Sequence, residues 1–152
     1  MKEINLLTLS HHALSLYTAV CRPLCQTLEI PQTAFDILMF LTNHQELCTA
    51  REITEYSGIK KNLVSVNVEK LVSQGYLERE AVPSDRRQVK LIVTKKALSV
   101  IDQGRQLQKF YYDTLTQGFN EEEREICQKL MQRIASNMDS LEDQLKRNPS
   151  LI

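Results

Sequence analysis

The sequence predicts a mainly α-helical domain that carries one small β-hairpin. Apolar residues recur every three or four positions along most of the chain, and one stretch beyond its middle alternates at strand period. Only four glycines and four prolines occur among the 152 residues, so long loops are few. With 42% hydrophobic residues, the chain is long enough to bury one ordinary core.

Three helices are predicted in the first third of the chain. A helical stripe runs over residues 4–28, where Pro23 should produce a kink because it removes one backbone hydrogen bond. A dense apolar run over 35–41 predicts a short buried helix. Thr49 and Glu52 have capping-box spacing, and Gly58 favours the end of the helix that this box begins.

The next helix gives the chain a helix-turn-helix pattern. It is predicted to begin at Lys61 or Asn62 and to end before Gly75. The inward stripe consists of Val64, Val68, Leu71 and Val72. The outward residues are Lys60, Lys61, Asn62, Ser65, Val66 and Glu69. A short helix, a glycine turn and a second helix with a small, basic outer face are typical of this motif.

A predicted β-hairpin follows directly, which makes the motif a winged helix. Residues 76–82 can be extended, Pro83-Ser84-Asp85 is turn-rich, and residues 89–93 have strand character. Arg86 and Arg87 are therefore expected in or beside the turn, at the tip of the hairpin.

Two long helices complete the predicted fold. Thr94 is expected to cap one over 95–117, and Asn120 with Glu123 predicts a capping box for the last. The last helix carries apolar residues at nearly heptad spacing, a stripe that needs a partner: Ile126, Leu130, Ile134, Met138, Leu141 and Leu145. We expect three regions in one intertwined domain: an N-terminal dimerisation helix (1–30), a winged helix-turn-helix lobe (31–96) and C-terminal dimerisation helices (97–152).

The charges favour an anionic partner for the middle of the chain. The net charge is zero, but residues 58–96 hold nine lysines and arginines against four acidic residues, a net charge of +5, and the remainder carries −5. A basic segment between acidic flanks is typical of a surface that meets phosphate. The predicted phosphate contacts are Lys60, Lys61, Arg86, Arg87 and Lys90, and the predicted base-reading residues are Asn62, Ser65 and Val66. Asp85 is expected to orient one of the two wing arginines.

Other classes of function find little support in the sequence. No motif of a phosphate loop or of a nucleophilic enzyme appears, and His11, His12 and His44 form no zinc pattern with the four cysteines, so we expect no enzyme activity, cofactor or metal. The N-terminus lacks a signal peptide and no apolar run is long enough to span a membrane, which predicts a cytoplasmic protein with reduced thiols. Cys21 and Cys25, one helical turn apart, leave a redox sensor as an alternative to small buried side chains.

The residues from Gly58 to Thr94 resemble the winged helix-turn-helix of the MarR family of bacterial transcription regulators. The family pattern is Asp, any residue, Arg, then an alternating strand that ends in Leu-Thr. Here it stands as Asp85-Arg86-Arg87, then Val89, Leu91 and Val93-Thr94. The resemblance extends over nearly the whole chain, because the family also has an N-terminal helix and two long C-terminal helices that intertwine into a homodimer.

This resemblance implies a homodimer on double-stranded DNA with a palindromic operator, usually a repressor, often released by a small molecule or an oxidant. By the same resemblance, an effector crevice would be lined by Tyr17, Phe110, Tyr111 and Tyr112. The chain departs from the family at several positions. Lys60 stands where a serine or threonine cap is common, Val66 where an arginine is frequent, Asn67 where an apolar residue is common, and Ala97 where a glycine is often found. The alternative from another class is a winged helix that binds an acidic protein partner.

Overall fold

The computed structural model describes residues 5–83 and 85–148, without the side chains of Arg86 and Arg87. Six helices and one hairpin follow each other along the chain, and they form two compact units, Met1–Tyr111 and Tyr112–Ile152. The elements are α1 (Leu6–Thr27), α2 (Gln32–Asn43), α3 (Ala50–Ser57), α4 (Lys61–Ser73), β1 (Leu77–Val82), β2 (Asp85–Val93), a 3-10 turn (Lys95–Ala97), α5 (Leu98–Leu115) and α6 (Glu121–Arg147). In the part of the chain that the structure describes, no helix is long and apolar enough to cross a membrane.

Helix α2 lies at the centre of the core of the first unit. Six of its twelve residues are buried, among them Phe35, Ile37 and Leu38 with no exposed surface. The core around it draws on α1, α3, α4, the hairpin and α5, through Cys21, Cys25, Ile53, Val64, Val68, Leu71, Leu77, Leu91, Val100 and Ile101. Helix α1 runs unbroken through Pro23, and the Thr27 hydroxyl donates to the Pro23 carbonyl at 3.0 Å.

Local signals place the helix-turn-helix as expected. The Thr49 hydroxyl accepts the Glu52 amide at 3.2 Å and the Glu52 carboxylate accepts the Thr49 amide at 2.8 Å, so the predicted capping box is confirmed. Gly58 ends α3 with φ = 71°, and Gly75 follows α4 with φ = 77°, both in the left-handed region that glycine adopts without strain.

The wing hairpin places Arg86 and Arg87 beside the turn, one of the two placements that the sequence allowed. Strand β2 begins at Asp85, which pairs with Val82, so Arg86 and Arg87 belong to the strand rather than to the turn. A register shift between Ala81 and Val82 accommodates this closure. Behind the hairpin, Thr49 forms an isolated antiparallel bridge with Lys90, and this bridge joins the wing to the start of α3.

The prediction that Thr94 caps the helix after the wing is wrong. Its hydroxyl donates to the carbonyls of Gly75 and Tyr76, at 2.7 and 3.3 Å, and thereby fastens the end of β2 to the turn before β1. A short 3-10 turn with buried Ala97 precedes α5.

The second unit is dominated by α6. Its N-terminus has the predicted capping box, in which Asn120 Oδ1 accepts the Glu123 amide at 2.9 Å and the Glu123 carboxylate accepts the Asn120 amide at 2.8 Å. None of the described residues of α6 is buried. Its apolar side chains are 38–58% exposed, namely Ile126, Leu130, Met131, Ile134, Met138, Leu141 and Leu145.

Candidate nucleic-acid interface

The start of α4 presents two lysines at the end of the glycine turn. The Lys60 carbonyl accepts the amides of Leu63 and Val64 at 2.9 and 3.0 Å, so Lys60 is the N-cap residue of the helix. The side chains of Lys60 and Lys61 are both exposed. Cations at a helix N-terminus are disfavoured by roughly 0.3–1 kcal/mol each. A bound phosphate would convert this local cost into an attraction.

The outer face of α4 is placed as predicted. Asn62, Ser65 and Val66 are exposed, and Val66 keeps 68% of its surface open to solvent. Asn67 is buried instead, and its Nδ2 donates to the Leu63 carbonyl at 2.8 Å. This bond explains how an amide occupies a position on the buried face of α4, because a buried amide is tolerated when it has a partner.

An ion pair joins the recognition helix to the wing. Arg79 of β1 lies 2.7 Å from the Glu69 carboxylate of α4, with both side chains largely open to solvent. An exposed pair of this kind contributes about 0–1 kcal/mol, so it orients more than it stabilises. Arg79 was not among the predicted contacts.

The predicted wing residues lie on β2. Lys90 is exposed and stands opposite Glu80, and Asp85 is half-buried next to the turn. The side chains of Arg86 and Arg87 lie outside the described part of the structure. Their contacts with DNA and their pairing with Asp85 therefore stay predictions.

A polar cleft between α3 and the wing was missed by sequence reasoning. It has a volume of about 650 Å³ and is lined by residues that include Arg51, Glu55, Tyr56, Asp85 and Gln88. Tyr56 is 65% exposed, a large fraction for an aromatic side chain. The sequence signal for Tyr56 is its place two residues before Gly58, at the end of the first helix of the motif. The cleft adds hydrogen-bonding groups to the helix-turn-helix side of the lobe.

The structure brings together two of the four residues predicted to line an effector crevice. Tyr17 and Tyr111 meet edge to face with ring centroids 5.5 Å apart. Both hydroxyls are engaged, because Tyr17 accepts from Gln108 Nε2 at 3.1 Å and Tyr111 donates to a carbonyl of α1 at 2.5 Å. Phe110 lines a different groove, of about 530 Å³, between α1 and α5. Tyr112 belongs to the second unit.

The cysteines of α1 are placed as core residues. Cys21 has no exposed surface and Cys25 has 6%. Burial raises the pKa of the Cys21 thiol above its ordinary range and that of Cys25 to about 11. Since the thiolate is the reactive form, both side chains are poor nucleophiles at neutral pH. Within residues 5–83 and 85–148, no group of three or more His, Cys, Asp or Glu residues is placed to hold a metal ion.

Comparison with known proteins gives the fold a family context. The MarR family model matches residues 28–88, from the end of α1 into the wing. The transcriptional regulator PA3341 is 27% identical, with a TM-score of 0.75 over 88% of this chain and 97% of its own. A putative MarR family regulator from Listeria monocytogenes, solved with a 26-mer DNA, has a TM-score of 0.82 at 16% identity over 97% of both chains.

A third similar structure is BpsR of Bordetella bronchiseptica, whose DNA binding is described as regulated by 6-hydroxynicotinic acid. It has a TM-score of 0.68 at 16% identity over 89% of this chain and 96% of its own. The comparison with curated proteins gives no match. The predicted fold class, mainly α with a β-hairpin wing, is confirmed by these structures and by the element order.

Proposed function

Because this chain belongs to the MarR family of winged-helix transcription regulators, we propose that it represses transcription by binding a palindromic DNA operator as a homodimer. Recognition helix α4 enters the major groove, and the hairpin lies over the adjacent phosphate backbone or minor groove. The observation that carries the proposal is the exposed outer face of α4, where Lys60 and Lys61 precede Asn62, Ser65 and Val66. Such a regulator works in the cytoplasm with the DNA, and the proposal includes no enzymatic step.

Most of the affinity comes from phosphate contacts. Lys60, Lys61 and Lys90 are exposed on the lobe, and Arg86 and Arg87 are proposed to complete the set. Asp85 is proposed to hold the direction of one wing arginine. Each phosphate that a cation neutralises releases counterions, so this binding weakens steeply as salt rises.

The dimer is proposed from the exposed apolar faces. Leu130 of α6 is 52% exposed and Leu7 and Leu14 of α1 are 70% and 63% exposed. Runs of large apolar side chains of this kind mark interaction surfaces. A second copy of the chain matches both the near-heptad spacing of α6 and the two-fold symmetry of a palindrome, in which recognition helices stand about 34–36 Å apart.

A small-molecule effector that releases the DNA is the last element of the proposal. Of the predicted lining residues, Phe110 is the one that faces an open groove, together with Val20, Leu24 and Leu107. These apolar side chains suit a small aromatic ligand. The control of BpsR by 6-hydroxynicotinic acid offers a precedent in a protein of similar fold.

The salt dependence of binding tests the proposed phosphate contacts. Lys60→Gln/Lys61→Gln removes two cations from each protomer and four from the dimer, so the slope of log K against log salt should become shallower by up to about 3.6. Lys129→Gln/Lys146→Gln in α6 makes the same charge change outside the winged lobe and should leave the slope unchanged. A wild-type affinity for duplex DNA that does not respond to salt would contradict the proposal and favour a protein partner.

A further inference from the structure

Recognition helix α4 carries an apolar side chain at the most outward point of its surface. Its orientation is fixed by Val64, Val68 and Leu71, which are 1%, 3% and 0% exposed. At about 100° per residue, Val66 lies about 165° from the centre of this buried stripe, nearly opposite to it. Val66 is 68% exposed, and Asn62 lies one turn earlier on the same line.

We infer that Val66 recognises thymine through its 5-methyl group, and this inference rests on the proposed binding of α4 in the major groove. Among the four bases, thymine alone presents a methyl group in that groove. The other bases present no methyl group there, and an isopropyl side chain that covers their hydrogen-bonding atoms would desolvate these without a partner. Val66 therefore favours thymine for two reasons: it contacts the thymine methyl group, and it desolvates the hydrogen-bonding groups of the other bases.

The neighbours of Val66 strengthen the assignment to a base edge. Glu69, the next outward residue, is held by Arg79 at 2.7 Å, which keeps its carboxylate on the side of β1. Asn62 offers an amide that can bond adenine in a bidentate manner. The outward line of α4 thus presents one amide and one apolar group, a pair suited to adjacent adenine and thymine positions.

Replacement of thymine by uracil isolates the methyl group. A duplex is first selected from a random pool by the wild-type protein, and thymines are then replaced one at a time by deoxyuridine, which keeps the base pair and removes only the methyl. Burying one methyl-sized group is worth about 0.8 kcal/mol, so the wild type should bind about fourfold more weakly per substituted half-site, and about 15-fold when both symmetry-related thymines are replaced.

Val66→Ala tests whether Val66 causes the loss of affinity that follows the replacement of thymine by uracil. The variant should bind thymine and uracil duplexes with nearly equal affinity, whereas Val89→Ala, at an exposed valine of the wing, should keep the wild-type ratio. Selective wild-type binding without any uracil-sensitive position, or an unchanged ratio in Val66→Ala, would overturn this inference and leave the DNA-binding function standing. Failure to select any DNA would overturn both.

Discussion

Gly104 of α5 packs directly against side chains of α2. A Cβ atom placed there would lie 2.5 Å from Met39 Sδ and 3.0 Å from Phe35 Cζ. Gly104→Ala should gain about 1 kcal/mol from helix propensity. Overpacking a filled core costs about 1–3 kcal/mol. Because Met39 is 2% exposed and Phe35 has no exposed surface, both side chains would have to shift within the core rather than into solvent, so we expect the clash to win. We expect a net loss of about 1 kcal/mol.

Urea unfolding at one fixed protein concentration measures this loss, with Met39→Ala as the relieving background. Met39→Ala alone should cost about 2–5 kcal/mol, because it opens a cavity in the core. In that background the cavity left by Met39→Ala can take up the added methyl group, so Gly104→Ala should become neutral or stabilising. A wild-type protein stabilised by Gly104→Ala, or an equal cost in both backgrounds, would refute the packing account.

Three further predictions concern α2, α1 and α6. Burial raises the pKa of Asp36 above its ordinary value, so the folded state loses stability as the pH rises through that pKa. Asp36→Asn should therefore raise the free energy of urea unfolding at pH 7 and change it little at pH 3; a less stable variant at pH 7 would contradict this. Cys25, with a pKa of about 11, has about one thiol in a thousand ionised at pH 8, so iodoacetamide should modify it at least tenfold more slowly than half-buried Cys48, as followed by mass spectrometry. Leu130→Glu puts a charge on the apolar face of α6 and should halve the mass measured by light scattering, whereas Gln128→Glu should leave the mass unchanged. An intact dimer in both variants would exclude the apolar face of α6 as the interface.

Features with local causes were predictable from the sequence. The capping box of Thr49 and Glu52 depends on residues three positions apart, and Gly58 acts through its own φ angle. The inward stripe of α4 follows from helical periodicity alone. In each case the partners lie within one or two turns of the chain, so spacing contains the necessary information.

Features with distant causes were not predictable. The Thr94 hydroxyl has the spacing of a helix cap, but it bonds the carbonyl of Gly75, nineteen residues away. The contact of Tyr17 with Tyr111 depends on which face of α5 packs on α1. From the sequence, Gly104 is only a residue of low helix propensity. The structure adds that the side chain of Met39 packs against it. None of these contacts can be predicted from the spacing of residues along the sequence.

Two adjacent residues of α4 depart from the hydrophobic pattern of the helix. Val66 and Asn67 would exchange places if burial followed hydrophobicity, because the valine is 68% exposed and the asparagine 5%. The inward position costs Asn67 little, since the Leu63 carbonyl accepts its amide. At the outward position, Val66 leaves 68% of its apolar surface in contact with water. A sequence in which local choices conflict with the fold is expected at functional surfaces. In the DNA complex that we propose, the duplex would cover Val66 and bury the apolar surface that the lobe exposes.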